Sequence, residues 1–356
     1  MTGFLDIDLG AVVANWRHLS GLHAGETAAV VKADAYGLGA LPVATVLARA
    51  GCKSFFTAHL GEALALRGAL ADGRIAALNG LLPHAAADFY AHNITPVLGS
   101  LKEIALWSAT AKGLGQALPC FLHIETGMNR LGLTQVELAT LRSEPERLAG
   151  VQVDVVMTHL VAADSPDNRL NEQQALKFYA AALQFPTAKK SLANSSGMFL
   201  SPFFHTSLAR PGAALYGVNP QPGRKNPMKN VVKLTAPVLQ IHDIRAGDTV
   251  GYAGAWKAQR NSRIATIGVG YADGYHRALA NQAHAWFEGQ LVPLVGRVSM
   301  DLSTFDVTDI AINPGDLLTL VGPDHGVDDL AGEARTSGYE ILTSLGKRYQ
   351  RRYLGA

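Results

Sequence analysis

Five short stretches of this chain carry side chains able to do chemistry together. The first is Val31-Lys32-Ala33-Asp34-Ala35-Tyr36-Gly37-Leu38-Gly39, in which a lysine closes an apolar run. A lysine in that position is partly desolvated, which lowers its pKa and frees the amine to attack an aldehyde. The others are Gly127-Met128-Asn129-Arg130, His159, Asn194-Ser195-Ser196-Gly197 and Arg210-Pro211-Gly212-Ala213. The Ser195 hydroxyl and the backbone amides near Gly212 and Ala213 suit a phosphate, because glycine lets the backbone come close. Arginine pairs through a planar fork with a carboxylate, a phosphate or a ring nitrogen. A phosphorylated aldehyde cofactor meets all three needs. Taken singly, each signal has a plainer reading: a solvated strand end for Lys32, since lysine is rarely buried, a satisfied core histidine for His159, an ordinary turn for residues 194–197. Their shared place at the ends of apolar runs is what joins them.

The elements that must position these residues alternate. Apolar runs at 28–32, 54–58, 74–79, 94–98, 120–125, 151–159, 191–194 and 207–210 read as strands. Helical patterns follow several of them, as at 60–71, 101–111, 137–144 and 171–183. Strand, turn and helix in repetition mean βαβ units and a parallel sheet. Eight repeats over about 220 residues match a closed barrel, which typically needs about 250. In such a barrel function sits at the C-terminal strand ends, where Lys32, Arg130, His159, Asn194, Ser195 and Arg210 all fall. The rival, an open doubly wound sheet, lacks its usual signal, since no G-x-G-x-x-G follows the first strand. Prolines and a glycine at 219–227 read as a linker. Beyond it, Val-, Ile- and Thr-rich runs at 231–245, 249–252, 262–269, 290–298 and 304–307 are punctuated by Gly, Pro and Asp turns, and one helical stretch covers 331–345. The expected fold is α/β: a (β/α)8 TIM-type barrel over 1–226, then a mostly β domain over 227–356.

Composition narrows the partners. The 356 residues are 48% hydrophobic and 17% charged, with a net charge of +2, an ordinary globular balance. There is no basic block long enough for nucleic acid, so small charged molecules are the expected partners. Cys52 and Cys120 make neither a disulfide framework nor a metal cluster and read as buried thiols. The N-terminus carries Asp6 and Asp8 and no apolar signal segment, and no apolar run approaches the roughly 18 residues of a membrane span. A cytoplasmic protein with no metal and no membrane contact is the expectation.

The lysine stretch resembles the cofactor-lysine motif of alanine racemases, and the likeness runs along nearly the whole chain. Ile7-Asp8-Leu9, Glu125-Thr126-Gly127-Met128-Asn129-Arg130-Leu131-Gly132-Leu133, Thr158-His159, Asn194-Ser195, Arg210-Pro211-Gly212-Ala213-Ala214-Leu215-Tyr216-Gly217, Val250-Gly251-Tyr252, Gly270-Tyr271-Ala272-Asp273-Gly274-Tyr275, Gly296-Arg297-Val298-Ser299-Met300-Asp301 and Arg348-Tyr349-Gln350-Arg351-Arg352-Tyr353 follow in the family's order. The resemblance implies a head-to-tail homodimer whose active sites are completed by the partner's β-domain. It implies that Lys32 carries pyridoxal phosphate and acts on D-alanine, while Tyr271 of the other subunit acts on L-alanine, the product D-alanine serving peptidoglycan. By the same resemblance Arg210 faces the pyridine nitrogen and His159 tunes it. Tyr36, Asn194, Ser195, Gly212, Ala213 and Tyr353 surround the cofactor, and Arg130 and the Met300 amide hold the substrate carboxylate.

Three positions depart from the family pattern: His123 where a lysine, commonly carbamylated, is frequent, Gln350 for a usual proline, and Ser299 for a common cysteine. Other readings stay open at this point. A racemase for serine or a basic amino acid would keep the same motifs. A basic amino-acid decarboxylase of similar plan would have a glutamate where Arg210 stands. A single-barrel cofactor-binding protein would lack the second domain and with it Tyr271.

Overall fold

The computed structural model describes residues 3–355. The chain opens with β1 (Phe4–Asp8), which does not enter the barrel. It pairs antiparallel with β11 (Val232–Ile244) and parallel with β19 (Gln350–Leu354), so it belongs to the sheet of the second domain. Its apolar residues Leu5 and Ile7 are fully buried there. The N-terminal segment thus lends its first strand to the second sheet, ahead of the barrel strands read from 28–32 onward. An alternating apolar pattern says that a strand has a core side, not which sheet it joins.

The barrel wall begins with one strand in two pieces, β2 (Glu26–Thr27) and β3 (Ala29–Val30). It continues through β4 (Ser54–Thr57), β5 (Arg74–Ala77), β6 (Ile94–Leu98), β7 (Leu118–His123), β8 (Val151–Met157), β9 (Lys189–Ser191) and β10 (Leu208–Ala209). From β3 to β9 each strand pairs parallel with the next. Beyond β9 a parallel bridge joins Asn194 to Arg210, and β10 pairs with β2, which closes the ring. Every residue of β4 and β6 is buried, as expected of strands covered on both faces. The ring is filled by Ala28, Val30, Phe56, Ala76, Val97, Phe121, Val155, Met157 and Leu208. It is a packed core, and open space is left only at its mouth.

Around the wall lie α1 (Leu9–Leu22), the short turn α2 (Lys32–Tyr36), α3 (Ala40–Arg49), α4 (Leu60–Arg67), α5 (Ala86–Ala91), α6 (Leu101–Leu114), α7 (Gln135–Ser143) and α8 (Leu170–Ala182). Caps fix where they begin. Ser100 Oγ accepts from Glu103 N ahead of α6, and Thr134 and Glu137 cap α7 reciprocally. The second cap pins the end of the loop that carries Arg130.

The second domain is built on β11, a 13-residue strand with an irregularity between Val238 and Gln240. One half pairs with β1 and β18 (Leu317–Val321), the other with β14 (Ser262–Ile267). Thr249–Val250 (β12) pairs with Trp256–Lys257 (β13), His284–Phe287 (β15) with Gln290–Pro293 (β16), and β14 with Ser303–Asp306 (β17). The expected helix over 331–345 is two helices, α9 (Val327–Ala334) and α10 (Gly338–Ser344). They part at Arg335, whose φ of +56° no right-handed helix accommodates. The proline-rich connection is tied down, for Asn219 N donates to Asp328 Oδ2 at 2.8 Å.

One partly buried cluster links α9 to the sheet. Glu333 Oε1 lies 2.9 Å from His284 Nδ1 and 3.2 Å from His325 Nε2. Burial lowers the His325 pKa, but Glu333, the Leu320 carbonyl and Asp329 outweigh it, so the net direction is upward from 6.5. The pKa of Glu333, raised by burial, is lowered overall by the two histidines. The His325 contribution is then complete below pH 6.5 and is lost as pH rises through its higher folded value. The Glu333 contribution disappears only in acid. Urea midpoints should decline across that alkaline crossing, and Glu333→Gln should flatten the decline. An equal slope in the variant would refute the pairing.

Candidate active site

At the barrel mouth is a cavity of about 1000 Å³. Lys32, Tyr36, Arg130, His159, Asn194, Ser195, Arg210, Gly212 and Ala213 all line it, together with His123. Nine residues singled out for cofactor or substrate binding are thus brought to one place from five βα loops.

Lys32 gets there through an unusual backbone. Strand β3 stops at Val30, two residues before the predicted end, and Ala33, Asp34, Ala35 and Tyr36 all have φ between +52° and +56°. This is one turn of left-handed helix, costing about 1–2 kcal/mol per residue. The surroundings hold it in place. Ala35 N donates to Val31 O at 2.9 Å and Gly37 N to Ala33 O at 2.7 Å. The Glu62 carboxylate accepts from Ala33 N, Asp34 Oδ1 from Ala40 N, and Arg351 Nη1 donates to Gly37 O. The turn brings Lys32 and Tyr36, four positions apart, to the same cavity. The Lys32 pKa is lowered by burial and by Arg130, against a smaller opposing pull from Glu62.

Arg210 is 5% exposed. Its Nη1 donates to Ser191 O at 2.9 Å and to Ser191 Oγ, and its Nη2 to Thr158 O. Burial brings its pKa down to about 10, still cationic at neutrality. Thr158 is steadied in turn: its hydroxyl shares a proton with Thr126 Oγ1 at 2.7 Å, and Gln174 Nε2 donates to Thr126 Oγ1 and to His159 O. His159 is pushed to about 3 by burial and then by Arg210, Arg130, Lys32 and His123. His123 falls to about 4, by burial and Arg210 first. Both imidazoles are neutral at physiological pH, so they add no charge beside Arg130 and Arg210.

Ser195 Oγ accepts from Gly212 N at 2.9 Å and Ala214 N at 3.3 Å, which leaves its own O–H to donate. A Cβ on Gly212 would lie 2.4 Å from Tyr36 Oη, so only glycine fits beside that hydroxyl. Asn194 braces the loop around it, since its Oδ1 accepts from Gly197 N and its Nδ2 donates to Leu160 O. Arg130 rides on a loop that closes on itself, for Glu125 Oε2 accepts from Asn129 N and Leu133 N donates to His123 O.

Three predicted residues lie elsewhere. Tyr271 and Met300 are 43% and 54% exposed and are absent from this cavity's lining. They adjoin one another in the second domain, where Tyr271 N donates to Ser299 O and Ala272 N to Met300 O. Tyr353 lies outside that lining too. It pairs with Ile7 across the β1–β19 ladder, and its hydroxyl sits where a Cβ on Gly39 would be, not in the cavity. A second tyrosine does reach the cavity beside Tyr36: Tyr339 of α10, its ring 6.4 Å from that of Tyr36, flanked by Ser337, Glu340 and Thr343. No local signal marks Tyr339, because only the folding of α10 over the barrel mouth makes it a neighbour of Tyr36. Among the described residues there is no cluster fit for a metal ion and no helix long and apolar enough to cross a membrane.

Known proteins resemble the chain along nearly its whole length. The family model described as alanine racemase, N-terminal domain, matches residues 7–220, and that for the C-terminal domain matches 231–353. An alanine racemase of Acidiphilium cryptum is 56% identical over 348 residues, covering 98% of this chain and 97% of that one. A catabolic alanine racemase of Agrobacterium fabrum is 47% identical, covering 99% and 92%. Among solved structures, alanine racemase from Bartonella henselae with covalently bound pyridoxal phosphate superposes with a TM-score of 0.96 at 40% identity, over 99% of this chain and all of that one.

Proposed function

The chain belongs to the alanine racemase family, and from that premise we propose that it interconverts L- and D-alanine with pyridoxal phosphate by a two-base mechanism. The observation that carries the reading is the convergence of Lys32, Tyr36, Arg130, Ser195, Arg210 and Gly212 on one cavity. The residues fit the cofactor. A lysine of lowered pKa suits its aldehyde, the Ser195 O–H and the close-packed Gly212 suit its phosphate, and Arg210, anchored on uncharged oxygens, offers a cation to its ring nitrogen. When bound, this cofactor makes the Cα proton of an amino acid acidic.

The chain's own groups then handle that proton. Inversion needs a base on each face, since a single base returns the proton to the side it came from. Lys32 Nζ holds the proton exchanged with the D-isomer, and Tyr271 Oη the proton exchanged with the L-isomer. Arg130 and the Met300 amide bind the carboxylate. Arg210, which carries only donors, does not readily yield a proton to a ring nitrogen, and so limits how far charge is withdrawn from Cα. Tyr271 and Met300 are exposed and lie outside the lining of their own chain's cavity, which supports a homodimer in which each second domain completes the partner's site. We read the chain as a barrel domain over 1–226, with β1 lent outward, and a β-rich domain over 227–356. The buried free thiols of Cys52 and Cys120 accord with a reducing cytoplasm, where D-alanine would feed peptidoglycan.

The test is L-alanine in D₂O, followed by optical rotation and by proton NMR at Cα. Rotation decaying to zero while deuterium enters Cα is the expected result. Retention of both rotation and proton, with cofactor bound, would remove alanine as substrate.

A further inference from the structure

Tyr271 opens a short turn, Tyr271–Asp273, that packs on the turn carrying Met300. Two backbone bonds join them: Tyr271 N to Ser299 O at 3.0 Å and Ala272 N to Met300 O at 2.9 Å. Gly270 leaves no slack, since a Cβ there would lie 2.4 Å from both the Ser299 and Met300 carbonyl oxygens. One side chain then spans both turns. Arg348 Nε and Nη2 donate to Asp273 Oδ1 and Oδ2 at 2.7 and 2.9 Å, and Nη1 donates to Asp301 Oδ1 at 2.7 Å. Asp273 is fully buried, and its Oδ2 also accepts from Gly270 N at 3.0 Å. One carboxylate stands two residues after Tyr271 and the other directly after Met300.

We propose that Arg348 is a positioning residue, whose guanidinium holds the Tyr271 hydroxyl and the Met300 amide in register as one unit presented to the substrate. The inference rests on the reading of Tyr271 as base and Met300 as carboxylate donor given above. Three donors in one plane meet two carboxylates, a geometry that lysine cannot reproduce. The Asp301 arm is half exposed, and such ion pairs add little to stability. Its consequence is therefore geometric, and a misplacement of about 1 Å costs on the order of a hundredfold in rate.

The experiment compares Arg348→Ala, Arg348→Lys, Asp301→Asn and Tyr271→Phe as holoenzymes, using L- and D-alanine with protium or deuterium at Cα. Both Arg348 variants should lower kcat, by roughly tenfold to a hundredfold for alanine, and raise KM for both isomers. They should also increase the isotope effect for L-alanine more than for D-alanine, with Asp301→Asn shifting the same way by less. A merely structural arginine would reduce the fraction of active enzyme and leave KM and isotope effects alone. If Arg348→Ala does not fold, Arg348→Lys and Asp301→Asn carry the test. Wild-type KM and isotope effects in the folded variants, alongside an altered Tyr271→Phe, would overturn the inference alone. A Tyr271→Phe enzyme with an unchanged L-side isotope effect would overturn the base assignment, and this inference with it.

Discussion

Lys32→Ala is expected to abolish racemisation, lowering turnover by roughly 10⁴-fold or more, because under the proposed mechanism it removes the covalent anchor and one of the two bases together. Lys32 is the one lysine among the residues lining the cavity, so no neighbouring amine stands ready to replace it. The fold should survive. The ammonium is destabilised by burial and by Arg130, and its removal relieves both. Thermal midpoints should stay level or rise slightly, while cofactor that remains attached to the wild-type chain after borohydride reduction and denaturation should be absent from the variant. A variant that keeps cofactor covalently bound would displace Lys32 from its assigned role.

The same electrostatics explain why two histidines stand beside two arginines without adding charge. Burial alone pushes His159 and His123 toward the neutral form, and Arg210 pushes them further, to about 3 and about 4. Neutral imidazoles can accept from arginine where protonated ones would repel it. His123, which departs from the family's usual lysine, is therefore compatible with Arg130 as an uncharged neighbour on the same cavity wall.

Much of this site is legible in the sequence because a parallel barrel places function at its strand ends. Lys32, Arg130, His159, Ser195 and Arg210 are reachable from apolar runs followed by polar residues. The match of β6 to the run at 94–98 shows how clear that signal is when a strand is buried on both faces. What stays hidden is long-range or contrary to local preference. Four consecutive non-glycine residues in left-handed conformation, 33–36, go against intrinsic propensity, and only contacts from Glu62, Arg351 and Ala40 hold them there. β1 escapes a local reading because both its partners, β11 and β19, lie more than 220 residues away. Tyr339 stays hidden for the same reason: a motif fixes order along the chain, but the break at Arg335 decides which helix lies over the barrel mouth. Spacing cannot foresee that break.

The second large effect concerns Tyr271. Tyr271→Phe should lower racemisation by roughly 10²- to 10⁴-fold, the usual weight of a positioned proton-transfer group. Folding and cofactor binding should be intact, since the side chain is 43% exposed in the isolated chain. Mixing decides which cavity it serves. If the chain pairs as proposed, Lys32→Ala and Tyr271→Phe dimers each lack one of the proposed bases at both sites. In a mixed dimer with shared sites, one cavity has Lys32 from the Tyr271→Phe chain and an intact Tyr271 from the Lys32→Ala chain, while the other has neither. At equal proportions and full exchange half the dimers are mixed and each has one good site, so activity should recover to roughly a quarter of wild type. If each chain instead used its own tyrosine, no combination would assemble a complete pair, and activity would stay at the level of the single variants however complete the exchange. Differential tags followed by native mass spectrometry measure that exchange. Recovery in step with the mixed species would show that the exposed Tyr271 turn is half of a neighbour's active site, which is why it can stand so far from the lysine it works with.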